Sequence, residues 1–170
     1  MMHESYLLLG SNEGNREQNI ADAIKAIAQQ AGIVSKMSWL YKSEPWGFNA
    51  DTDFYNLALL LLTTHEPHAL LSILLGIEKS LGRVRQDKPG YASRTIDIDI
   101  LFYDQLIMES PVLTLPHPRI HGRRFVLIPM LELDMDYKHP ISGKSVEHML
   151  MFCEDFSKVE QIKKMENIFD

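Results

Sequence analysis

Cysteine is almost missing from this chain: Cys153 is the only one in 170 residues. A single thiol cannot close an internal disulfide, so a packed core and a reducing compartment, the cytoplasm, are expected. Cys153 itself reads as a small apolar filler near a C-terminal helix. Long hydrophobic runs are missing as well. The longest wholly apolar stretch, Leu57 to Leu62, falls far short of the ~20 residues that a membrane-spanning helix needs. The opening Met1-Met2-His3-Glu4-Ser5 has neither the basic start nor the apolar run of a secretory leader. No membrane association is expected. Positive charge is scarce: 17 Lys and Arg against 23 Asp and Glu leave a net charge of −6. That balance argues against a broad nucleic-acid footprint, though not against binding one nucleotide. Gly143-Lys144-Ser145 looks like the end of a P-loop, but position 138 is Lys where the first glycine belongs, so that phosphate cradle is absent. Repeats and low-complexity segments are absent too. With 45% hydrophobic residues, one domain spanning residues 1–170 is the natural reading.

What is present is concentrated in Arg94-Thr95-Ile96-Asp97-Ile98-Asp99-Ile100-Leu101-Phe102. Apolar residues at 96, 98, 100 and 102 alternate with polar ones, which predicts a strand with one buried face. Asp97 and Asp99 then project together from the other face, about 7 Å apart by the strand rise. Paired carboxylates repel unless a cation lies between them, and hard oxygen donors of this kind suit Mg²⁺ completed by water and phosphate oxygens. A solvated strand face is the bland alternative. The segment just upstream weighs against it: Arg83, Arg85, Lys88 and Arg94 put four cations within twelve residues, and Pro89-Gly90 makes this a loop. Arginine forks match phosphate oxygens, so a cationic loop running into a carboxylate strand has the parts for phosphoryl transfer. Its alternative is a solvated basic loop.

Along the chain, Tyr6 to Leu9 predicts a short buried strand ending at Gly10-Ser11-Asn12. Asn15 is an N-cap with Gln18 as its capping-box partner. Ile20, Ala23, Ile24, Ile27, Ala28 and Ala31 recur at helical spacing up to Gly32. Val34 to Tyr41 and Tyr55 to Thr63 read as strands, with a loop over Ser43–Asn49. Pro67 opens a second helix with Leu70, Leu74, Ile77 and Leu81 as its stripe. Glu78 is read on the face of Leu71 and Leu75, either orienting Arg83 or Arg85 or forming a surface ion pair. Tyr103 to Ile107 suggests a small extra hairpin, Arg124 to Leu131 a short helix limited by Pro129, and Ser145 to Phe152 a last helix. The order strand, helix, strand, strand, helix, strand predicts an α+β ferredoxin-like βαββαβ antiparallel sheet with helices packed on it, plus a small C-terminal extension.

Gly10-Ser11-Asn12, Gly82-Arg83-Val84-Arg85, Arg94-Thr95-Ile96-Asp97-Ile98-Asp99 and Leu115-Pro116-His117-Pro118 together resemble 6-hydroxymethyl-7,8-dihydropterin pyrophosphokinase, in that family's order, over roughly residues 5–150. The resemblance implies transfer of the β,γ-diphosphate of ATP to the pterin hydroxymethyl group in folate synthesis, leaving AMP. It implies two Mg²⁺ ions on Asp97 and Asp99, and transition-state and phosphate contacts from Arg83 and Arg94. Arg85, Lys88, Ile100, His117 and Arg123 fall at or beside its ATP-contacting positions. Ser43, Glu44, Trp46, Phe54, Asn56, Tyr91 and Phe125 map onto its pterin pocket. There the aromatics suit offset stacking on a flat ring, and Asn56 suits an amide-like edge. The partners implied are these small molecules alone, with the chain acting as a monomer. Compared with the family, the segment from Arg83 to Arg94 is one residue longer. Tyr91 stands where Trp is common, Lys88 where Arg is common, and His121 where Lys is frequent.

A competing reading is a non-enzymatic ferredoxin-like module for RNA or a regulatory metabolite. Sheet-face RNA binding uses exposed aromatics on central strands, whereas Asp97 and Asp99 would repel phosphate without a metal.

Overall fold

The computed structural model describes residues 1–45, 51–82 and 95–170. Eight strands, β1 (His3–Ser11), β2 (Ile33–Met37), β3 (Leu40–Ser43), β4 (Phe54–Thr63), β5 (Asp97–Tyr103), β6 (Met108–Glu109), β7 (Thr114–Leu115) and β8 (Val159–Lys163), alternate with four helices among the described residues. The helices are α1 (Arg16–Gln30), α2 (Pro67–Ser80), α3 (Arg124–Asp134) and α4 (Val146–Met151). The main sheet is antiparallel in the order β5-β1-β4-β3-β8, with β2 also pairing to β4. This is the expected ferredoxin-like α+β arrangement, and helices pack on it.

Each element follows from local chemistry. Asn15 caps α1 by accepting the Gln18 N–H at 3.1 Å. The Gln18 side chain does not close the expected capping box; it donates to Asp22 at 2.8 Å instead. Gly32 is required between α1 and β2: its φ is +154°, and a Cβ there would lie 2.2 Å from the Leu62 carbonyl oxygen. The predicted strand over 34–41 is two strands. Ser38 breaks it, donating its N–H to the Ala58 carbonyl and accepting the Ala58 N–H on Oγ at 2.9 Å. Helix α3 runs on to Asp134 despite Pro129. The proline removes one backbone donor, but burial of Val126, Leu127, Met130 and Leu133 supplies the packing that most helical stability comes from.

Two apolar layers result. Leu7, Leu9, Leu57, Leu59, Ile98 and Ile100 face α1 and α2. Tyr6, Leu8, Ala58, Leu60 and Phe102 face α3 and α4. Phe102 therefore departs from the predicted alternation. A bulge in the β1–β5 ladder, between Tyr6 and Leu7, pairs Tyr6 with Phe102 and Leu7 with Ile100. Leu101 is the extra residue, and it turns Phe102 onto the opposite face from Ile100. The expected hairpin lies slightly later than predicted, at β6–β7, after a turn in which Asp104 takes φ +46°. The tail adds β8, which pairs with β3.

Candidate active site

Helices α3 and α4 cover only part of the second sheet face, and a pocket opens where that cover ends. Its floor is a row of paired residues. Gly10 on the central β1 stands opposite Asn56 on β4 and opposite Asp97 on β5, and Leu8 stands opposite Asp99. Paired residues share a face, so the two carboxylates and the Asn56 amide point the same way, with Asp97 and Asn56 two strand spacings, ~10 Å, apart. Gly10 keeps this floor low: a Cβ there would come within 3.3 Å of Asn56 Oδ1 and 3.6 Å of the Phe54 ring. The cavity is about 290 Å³, and its lining includes Ser43, Glu44, Phe54, Asn56, Asp97, Asp99, His117, Arg123 and Phe125.

The polar groups are held firmly. Buried Asn56 donates through Nδ2 to Ser43 Oγ at 2.7 Å. The approach to Phe54 is pinned by α1: Arg16 donates to the Asp53 carbonyl at 2.8 Å and lies over the Tyr55 ring at 3.9 Å. His117 sits in a proline-braced turn tied to β5 by its N–H on the Leu101 carbonyl at 2.9 Å. Its Nδ1 accepts the Arg119 N–H at 3.2 Å, which assigns the proton of the neutral ring to Nε2. Burial first, then the Arg123 charge, pushes His117 down to about 4, with Asp97 pulling the other way. Arg123 is 7% exposed and its guanidinium lies 5.8 Å from the Phe125 ring centroid. The first turn of α3, which carries Phe125, is anchored by Asp155 accepting the Arg124 N–H at 2.9 Å. Burial works to raise Asp155, but hydrogen bonds from Ser157 and Arg124 outweigh it and hold the carboxyl below its usual range.

Nine of the residues expected from sequence thus meet in one pocket. Ile100 does not bring its side chain there. It is buried in the layer under α1 and α2, because strand alternation turns it away from Asp99. Of the two readings of Glu78, the surface ion pair is excluded: the residue is 2% exposed, and its Oε2 accepts the Ile98 N–H at 2.8 Å. Arg83 and Arg85, which the other reading invokes, lie outside the described residues. The assignments to Trp46, Arg83, Arg85, Lys88, Tyr91 and Arg94 lie outside the described residues. Leu8 and Arg119 line the pocket without having been singled out, and Gly10 and Pro118 line it too, though the motifs containing them carried no site role for either. A glycine inside an apolar strand was the available signal for close approach at Gly10. His121 belongs to a neighbouring recess of about 720 Å³ with His139, Ile141 and Phe152.

Among the described residues, no group of three or more His, Cys, Asp and Glu is placed to hold a metal. The Asp97–Asp99 pair still fits Mg²⁺, which commonly takes one or two protein carboxylates and completes its shell with water and substrate phosphates. No helix of the described residues is long and apolar enough to cross a membrane.

Residues 6–135 match the family described as 7,8-dihydro-6-hydroxymethylpterin-pyrophosphokinase (HPPK). The chain belongs to this family of enzymes. Among pyrophosphokinase relatives, the 2-amino-4-hydroxy-6-hydroxymethyldihydropteridine pyrophosphokinase of Methylorubrum extorquens is 39% identical over 163 residues, covering 95% of this chain and 100% of that one. The folic acid synthesis protein fol1 of Pneumocystis carinii is 43% identical over 141 residues, covering 83% of this chain but 19% of that protein. The bifunctional protein FolKE of Lactococcus lactis is 38% identical over 169 residues, covering 98% and 48%. The chain therefore spans between about a fifth and a half of those two longer relatives. In fold, it is similar to Plasmodium falciparum HPPK-DHPS, with a TM-score of 0.75 at 15% identity over 89% of this chain and 45% of that one.

Proposed function

We propose that this pyrophosphokinase transfers diphosphate from ATP to 6-hydroxymethyl-7,8-dihydropterin, giving AMP and the pterin diphosphate in folate synthesis. The observation that carries the reading is the shared floor of the pocket, where the Asn56 amide and the Asp97 carboxylate face the same way from either side of Gly10. A flat pterin seated over Asn56 directs its hydroxymethyl group toward the carboxylates.

In this reading Phe54 and Phe125 receive the ring faces, Asn56 and Ser43 meet its amide-like edge, and Glu44, Trp46 and Tyr91 complete the pterin site. The hydroxymethyl oxygen attacks the β-phosphorus and its proton is released to solvent water. The bond to the oxygen bridging the α- and β-phosphates breaks, and AMP leaves with that oxygen. Asp97 and Asp99 would hold two Mg²⁺ ions, whose charge offsets that of the triphosphate. Arg123 and the Nε2–H of His117 donate to phosphate oxygens. His117 does so as a neutral donor, because its burial keeps it unprotonated near neutral pH. Arg83 and Arg94 stabilise charge on the transferring group, and Arg85 and Lys88 bind ATP. Ile100, whose side chain is in the core, is left with its backbone for nucleotide contact. The protein then works as a single-domain cytoplasmic monomer whose partners are its two small-molecule substrates. The lone buried thiol of Cys153 suits a reducing compartment.

The test is product analysis. With ATP, Mg²⁺ and the pterin, AMP and a pterin diphosphate are expected in equal amounts. ADP in place of AMP refutes the reaction.

A further inference from the structure

We propose that Glu78 is the positioning residue for the carboxylate pair: its Oε2 takes the Ile98 N–H on the outer edge of β5 and so fixes the peptide that joins Asp97 to Ile98. The inference rests on the reading of Asp97 and Asp99 as metal ligands, and it adds a residue that touches neither substrate nor metal.

The geometry is specific. Among the described residues β5 is the terminal strand of its sheet, and no described strand pairs with its outward backbone groups. Asp97 and Asp99 stand opposite Gly10 and Leu8 of β1, and strand geometry turns the N–H of the intervening residue away from β1. Glu78 reaches that N–H from the last turns of α2 at 2.8 Å, and it does so while 2% exposed. A carboxylate is among the groups least often fully buried, and burial disfavours it unless strong donors compensate. A leucine at this position would complete the α2 stripe at lower desolvation cost. The charged acceptor takes the backbone amide between the two carboxylates. A bond there restrains rotation of the Asp97–Ile98 peptide and with it the direction in which both acids project. It also joins α2 to the start of β5, four residues before Gly82 ends the helix turn.

Glu78→Gln keeps a carbonyl acceptor and drops the charge, whereas Glu78→Met keeps length and apolar packing and drops the acceptor. Three quantities separate positioning from general damage: exchange of the Ile98 amide, binding of Mn²⁺ with a nonhydrolysable ATP analogue by electron paramagnetic resonance, and pterin binding by fluorescence. Glu78→Met is expected to lose tenfold or more in Ile98 protection and tenfold or more in Mn²⁺ affinity, with pterin affinity within threefold of wild type. Glu78→Gln is expected to stay within threefold of wild type in all three. The proposal is overturned by unchanged Mn²⁺ affinity in Glu78→Met, or by a loss in pterin affinity as large as that in Mn²⁺. A Glu78→Gln variant that loses tenfold or more in Mn²⁺ affinity relative to wild type also overturns it, and this arm holds even where Glu78→Met does not fold. Failure of the underlying metal reading is recognisable separately, because wild-type protein would then bind Mn²⁺ no better than an Asp97→Ala, Asp99→Ala double variant.

Discussion

The buried Asn56 amide donates to the Ser43 hydroxyl at 2.7 Å across the β3–β4 pair. One amide donor is thus committed to the protein before any ligand arrives, and the side chain is locked in one orientation. Asn56→Ala removes this lock and, in the proposed reading, a polar contact to the pterin edge. It is expected to raise the pterin KM tenfold or more and to cost about 1–2 kcal/mol of folding stability, since Ser43 loses a buried partner. Ser43→Ala is expected to do less, because Asn56 remains to meet the ring. Steady-state kinetics and urea denaturation check both; equal effects of the two variants on pterin KM would place recognition on the hydroxyl.

Gly10→Ala is expected to fold. Its new methyl would sit 3.3 Å from Asn56 Oδ1 and 3.6 Å from the Phe54 ring, contacts that a small shift of either side chain relieves. The relief displaces groups assigned to the pterin in the proposed reading, so its Kd is expected to rise about three- to tenfold while the melting temperature moves little. Fluorescence titration of pterin gives the number. An unchanged Kd would mean that the ring binds away from the Gly10 row.

Asp97→Asn and Asp99→Asn are each expected to lower turnover by ~10³-fold or more, the scale of several kcal/mol of charge stabilisation. Pterin binding without metal is expected to survive both changes, because Asn56, Ser43 and the aromatics are untouched. Near-normal turnover in either variant refutes the metal assignment for that residue.

The histidine in the pocket sets a pH dependence of known sign. Folded His117 titrates at about 4, whereas the unfolded ring takes its proton near 6.5. Stability associated with the neutral ring is therefore complete above pH ~6.5 and is lost as the pH falls toward 4. The loss is on the order of 1–2 kcal/mol once the ring's partial exposure is allowed for. His117→Asn should flatten this part of the profile, measured as urea midpoints from pH 7 to 4.5. A ring titration near 6.5 by NMR would contradict the burial argument.

How much was legible beforehand depended on whether the cause was local. The alternation at 96–100 announced the carboxylate strand, and Asn15 and Pro67 marked the helix starts, because caps and period-two patterns act within a few residues. The pocket residues were legible chiefly through family motifs; no spacing in the chain tells that Asn56 and Asp97 become neighbours across Gly10. Phe102 was misassigned because a bulge is set by pairing with β1, not by β5 alone. For Glu78 a surface ion pair stood as one of two readings because a charged residue on a helix is usually exposed, and the amide it accepts lies twenty positions later. Val159–Lys163 was unplaceable because it is short and its burial is mixed; it becomes a strand only by pairing with β3.

The bulge after Ile100 has one more effect. By turning Phe102 onto the side of Asp97 and Asp99, it makes the aromatic packing beneath α3 and the acidic pair successive stations of one stratum. Where that stratum runs out of side chains, the proposed reading gives the next place to the substrate ring. A bound pterin then serves as the missing tile of an interior, and this end of the sheet should gain rigidity with its ligand in a way that the side beneath α1 and α2 does not.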